Sequence, residues 1–104
     1  MKKSLLIVAA LVASSAAVAQ TTDTLKKIKD SGSVTMGVRE SSGALSYTLG
    51  DGKFVGYHVE ICQKVLADVQ KQLGLAKLDI KYQPVTSQNR IPLVQNGTVD
   101  IECG

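Results

Sequence analysis

TSQNRIPLVQNGTVDIECG, Thr86 to Gly104, holds the signals that decide the fold: a capping hydroxyl, an early proline, an Asn-Gly stop and a β-branched run. Pro92 lacks an N–H and is accepted only within a helix's first turn, so the spacing predicts a helix beginning between Ser87 and Asn89. That helix runs to Gln95, with Asn96-Gly97 as its stop. Val99 to Ile101 then reads as a strand, with Glu102, Cys103 and Gly104 as its exit. A helix start carrying the Ser87 hydroxyl, unpaired backbone N–H groups and the Arg90 guanidinium is suited to an anion. Such a site binds; it contains no nucleophile or paired acid and base.

Upstream, Thr24 to Asp30 reads as a short amphipathic helix with Leu25 and Ile28 on one face, ended by Ser31-Gly32. Val34, Met36 and Val38 alternate with Thr35 and Gly37, the period of a strand that delivers Arg39 and Glu40 at its C-terminal end. Leu45 and Tyr47 on one arm, and Phe54 and Val55 on the other, predict a hairpin turning at Gly50-Asp51-Gly52. Tyr47, Phe54 and Tyr57 are expected to pack this hairpin onto the following helix. His58 to Leu73 is the long helix, with Ile61, Val65 and Val69 recurring every four residues, Cys62, Leu66 and Leu73 on an adjacent stripe, and Gly74 as C-terminal cap. His58, at its start, is expected to be solvated. Leu78, Ile80 and Tyr82 alternate with polar residues in a second strand closed by Pro84.

The order strand, helix, strand, helix, strand predicts an α/β fold with a parallel βαβαβ sheet and a hairpin insertion. Right-handed crossovers bring all strand C-termini to one edge, where open α/β sheets bind ligands. That edge collects Arg39, Ser87 and Arg90. Two guanidiniums there repel unless an anion lies between them. Arg39, Ser87 and Arg90 are therefore the candidate ligand-binding residues, and a carboxylate is the expected ligand group. For each arginine alone, a surface position paired with an acid or with water is the competing reading.

The first nineteen residues read as a secretory signal: Lys2 and Lys3, an apolar run from Ser4 to Ala17, and Ala17-Val18-Ala19 before Gln20. The apolar run is shorter than the roughly 20 residues that span a bilayer. Removing Lys2 and Lys3 from twelve Lys and Arg leaves ten against nine Asp and Glu. This near balance argues against a nucleic-acid partner. Cys62 and Cys103 enter an oxidising compartment where a disulfide is possible, but their placement in a helical apolar pattern and after a strand favours two separate buried thiols. With a single histidine and no CxxC, neither metal nor cofactor is expected. Residues 20–104 make one small core ending directly after a strand, as expected of a fragment of a longer protein.

RESS at Arg39 to Ser42, GKFVGYHVEIC at Gly52 to Cys62 and the opening stretch together resemble the periplasmic solute-binding proteins of ABC transporters for polar amino acids. The last motif most resembles the glutamate- and aspartate-binding members; the pattern from Gly56 to Ile61 marks only the broader family. The resemblance implies a type II periplasmic-binding-protein fold, with residues 20–104 as an incomplete first lobe. It implies a monomer that captures an acidic amino acid in an interlobe cleft and delivers it to an inner-membrane permease. Family contacts map onto Arg39, Ser87 and Arg90, with the arginines at the ligand's side-chain carboxylate. Two departures stand out: His58 where members often carry an acid, and Ala44-Leu45 where they often carry Pro-Phe. The alternative is a secreted enzyme on the same fold, a dehydratase or a lytic cell-wall enzyme, with Glu40 and Glu102 as its only candidate carboxylates.

Overall fold

The computed structural model describes residues 23–104; the expected signal segment, residues 1–19, lies outside them. Asp23 accepts a hydrogen bond from Lys26 N–H at 3.1 Å and starts α1 (Thr24–Ser31), which Gly32 closes in the left-handed region. Then come β1 (Ser33–Val38), a short 3-10 turn at Gly43–Leu45, the hairpin strands β2 (Tyr47–Gly50) and β3 (Lys53–Val55), α2 (Tyr57–Leu73), β4 (Asp79–Pro84), α3 (Arg90–Gln95) and β5 (Ile101–Glu102). The predicted element order is the observed one, and β4 and β5 both pair in parallel with the central β1.

Register explains where the core lies. Val34 and Met36 sit opposite Ile80 and Tyr82, and Met36 also opposite Ile101, so the apolar residues of three strands share one face. There they meet Ile28 of α1 and Val59 and Leu66 of α2. The opposite face is shallower: Val85 and Val99 close over Gly37. The order β4-β1-β5 means that the chain steps to one side of β1 and then back across it. Right-handed crossovers made in opposite directions place α2 and α3 on opposite faces.

Several local expectations are corrected. The buried stripe of α2 runs through Val59, Cys62, Leu66 and Leu73, while Ile61 and Val65 are each 43% exposed. Hydrophobic periodicity alone does not say which of two adjacent stripes meets the sheet. Of the three hairpin aromatics only Phe54 packs inward, stacking on Tyr82 of β4 with ring centroids 6.2 Å apart, whereas Tyr47 and Tyr57 are exposed. The last strand begins two residues later than expected. Val99 N–H is drawn away to Leu93 O, and Asp100 N–H bonds Thr35 O.

The largest correction concerns the cysteines, which are not separate thiols. Cys62 and Cys103 form a disulfide with Cα atoms 6.4 Å apart, within the range a bridge requires. Register brings this about, since Cys62 lies on the sheet-facing stripe of α2 and Cys103 follows Ile101 by two positions on the same face.

One glycine is indispensable to the join between hairpin and helix. Gly56 has φ +137°, and a side chain there would run into the backbone of Leu45 and Ser46. The N-terminus of α2 thereby seats closely against the loop that follows Arg39.

Candidate functional site

The carboxyl ends of β1, β4 and β5 meet at one edge, and the candidate residues lie there. Arg39 leaves β1 directly after Val38. Its backbone is held by Ser46, which is fully buried: the Ser46 hydroxyl accepts from Arg39 N–H and donates to Arg39 O, both at 2.9 Å. Nothing in the local sequence marks Ser46 for this role, because the bond spans seven residues and depends on the chain doubling back through the 3-10 turn. Ser46→Ala is expected to lower stability by about 2 kcal/mol by leaving the Arg39 N–H without its partner. Urea denaturation checks this as a fall in midpoint with an unchanged slope.

At the end of β4, Val85 N–H bonds Val38 O at 2.8 Å and keeps the two strand exits together. The turn that follows starts on Thr86 and not on Ser87. Thr86 Oγ1 accepts from Asn89 N–H at 3.1 Å, and Asn89 Oδ1 accepts from Thr86 N–H at 2.8 Å. This reciprocal pair has capping-box geometry, with asparagine in the place of glutamate or glutamine. The expected capping role of Ser87 is therefore corrected: Thr86 and Asn89 close the turn before the helix, Ser87 lies exposed in that turn, and α3 opens at Arg90 with Asn89 as N-cap and no side-chain cap bond. The Thr-x-x-Asn spacing was the signal for it.

Arg39 and Ser87 line one cleft of about 270 Å³, together with Glu40, Ser41 and the neighbours of Ser87 from Pro84 to Gln88. Arg90 lines the neighbouring hollow with Ile91, Val94 and Glu102. Glu102 joins the two. Its Oε1 lies 3.8 Å from an Arg90 guanidinium nitrogen, and its Oε2 accepts from Gly104 N–H at 2.6 Å. A side chain at position 104 would collide with the stem of Arg39 on one side and with the Glu102 carboxylate on the other. Gly104 is thus the point where Arg39 and Glu102 converge. The sequence pattern sets two arginines at this edge, and the fold adds a partly buried carboxylate beside Arg90.

His58 is likewise not simply solvated. It is half-buried, with Nδ1 3.3 Å from Gly104 O. Together with the Cys62–Cys103 bridge, it ties the first turns of α2 to the segment that follows β5. Among the described residues, no group of three or more His, Cys, Asp or Glu side chains is gathered to hold a metal ion. Among the same residues, no helix is long and apolar enough to cross a membrane.

A parallel sheet with helices on both faces and an arginine-lined cleft at its carboxyl edge defines an α/β lobe, and the fold is that of the type II periplasmic amino-acid-binding proteins. An ancestral cationic amino acid solute-binding protein superposes with a TM-score of 0.62 at 27% identity, over 78% of this chain and 32% of that one. The cysteine-binding protein of Campylobacter jejuni shares the fold with a TM-score of 0.64 at 23% identity, over 80% of this chain and 32% of the other. Residues 34–104 match the bacterial extracellular solute-binding proteins, family 3, and the chain belongs to that family. An L-glutamate/L-aspartate-binding protein of Pseudomonas aeruginosa is 52% identical over 94% of this chain and 33% of its own length. A glutamate/aspartate import solute-binding protein of Escherichia coli is 47% identical over 78% of this chain and 27% of its own. The chain thus spans about a third or less of the curated relatives it matches.

Proposed function

We propose that residues 20–104 form the N-terminal part of the first lobe of an extracytoplasmic solute-binding protein for acidic amino acids. On this reading residues 1–19 direct export to the periplasm, where the protein, as a monomer, takes glutamate or aspartate between two lobes and passes it to an inner-membrane ABC permease. What supports the reading is that Arg39 and Ser87 line one cleft beyond the carboxyl ends of parallel strands, with Arg90 lining a second hollow beyond β4. Guanidiniums offer a planar fork to a carboxylate, and the Ser87 hydroxyl adds a donor beside it. The relatives named above, whose names state glutamate and aspartate binding, support the same ligand class.

The enzyme alternative has less support. Glu102 is already engaged by Arg90 and by Gly104 N–H, and Glu40 is exposed with no acid or base partner among the described residues.

Calorimetry on the full-length protein tests the proposal. L-glutamate should bind much more tightly than L-glutamine, and Arg90→Ala should weaken glutamate binding by more than about 2 kcal/mol through loss of a charge-assisted contact. Equal affinity for the two amino acids would defeat the reading.

A further inference from the structure

Glu102 is the acid of this edge that is paired with an arginine, and the binding reading leaves it without a task. Its side chain is 19% exposed, and both carboxylate oxygens are engaged: Oε1 toward Arg90 at 3.8 Å and Oε2 with Gly104 N–H at 2.6 Å. Through Gly104 it also lies against the stem of Arg39. Glu40, the other acid of this edge, is exposed at the rim of the cleft, where water screens its charge. His58, which approaches Gly104 O, carries no negative charge in either protonation state. Glu102 is thus the acid of this edge that is best shielded from water and the one paired with an arginine.

We propose that Glu102 is a positioning and specificity-determining residue: it orients the Arg90 guanidinium and offsets its charge, so that a ligand group with one negative charge is accepted there and a dianion is disfavoured. The inference rests on the binding reading above and adds to it a charge limit on the ligand group that Arg90 meets. The physical ground is simple. A lone pair of arginines would favour a phosphate-like dianion over a carboxylate, whereas a fixed carboxylate beside them repels the second charge of the dianion at close range, where solvent screening is weakest.

Homocysteate and the phosphonate analogue of glutamate test this, because the two share length and tetrahedral shape and differ by one charge once the phosphonate is fully ionised. Titration calorimetry of the full-length wild-type protein should show glutamate binding and a clear preference for the sulfonate over the phosphonate. In Glu102→Gln that preference should shrink by about tenfold, whereas Glu102→Asp, which keeps the charge, should retain most of it. Loss of glutamate binding in the wild type would overturn the functional reading itself. Glutamate binding with the phosphonate equal to or tighter than the sulfonate in the wild type would overturn only the charge proposal, and does so whether or not a variant folds. An unchanged preference in a cooperatively melting Glu102→Gln would overturn it equally.

Discussion

Opening the Cys62–Cys103 bridge should lower the unfolding free energy by about 4 kcal/mol, a large share of the roughly 5–15 kcal/mol that holds a domain together. The bridge joins positions 41 residues apart, so its loss returns a long loop's worth of conformational freedom to the unfolded chain. It is also the only covalent tie between α2 and the segment after β5 among the described residues. Cys103 is 5% exposed and donates its N–H to Gly37 O at 2.8 Å, so the bridge anchors at a point the sheet already holds. Thermal denaturation with and without a thiol reductant, beside the Cys62→Ser/Cys103→Ser double variant, measures the effect. Reductant should shift the wild type to the midpoint of the double variant and leave that variant unmoved. A wild-type midpoint indifferent to reductant would contradict the expectation.

Asp100→Ala should be nearly as damaging, at about 3 kcal/mol, because it leaves a part-buried backbone N–H without its acceptor and opens an ion pair. The Asp100 side chain is 6% exposed; Oδ2 accepts from Thr35 N–H at 2.9 Å, and Oδ1 takes Lys27 Nζ at 2.8 Å. Lys27 reaches at the same time to Gly97 O at 2.8 Å, so this one carboxylate fastens α1, the edge of β1 and the loop between α3 and β5. Asp100 N–H completes the join on Thr35 O. Asp100→Asn should cost less than half as much, since the amide oxygen still accepts from Thr35 and only the charge is lost. Lys27 is 45% exposed, and once unpaired it turns to water, so Lys27→Met should cost less than Asp100→Ala. Equal losses in Asp100→Ala and Lys27→Met would show that the ion pair, and not the backbone bond, carries the energy.

The element order was legible in the sequence because it rests on local signals. Alternation at Val34, Met36 and Val38 marks β1, the fourfold recurrence of apolar residues marks α2, and Pro92 limits where α3 can begin. The site was partly legible for the same reason: once three parallel strands are granted, topology alone carries Arg39, Ser87 and Arg90 to one edge. The turn closed by Thr86 and Asn89 is local as well, a Thr-x-x-Asn spacing beside the more familiar serine signal.

What lay beyond the sequence depends on pairs of residues far apart in the chain. Cys62 and Cys103 look like two isolated apolar cysteines until the register of β5 on β1 sets both on one face. Glu102 reads as a strand-exit acid, and becomes the counter-charge of Arg90 only when β5 lies beside β1 and α3 closes over it. Ser46 is an unremarkable loop serine until the 3-10 turn folds it back under Arg39. Periodicity and capping are set by neighbours within about four residues and survive in the sequence as pattern. Charge compensation, disulfide pairing and burial are set by tertiary register. The sequence by itself therefore determined the α/β order and the cationic edge, and only the tertiary structure decided that a half-buried carboxylate sits within that edge.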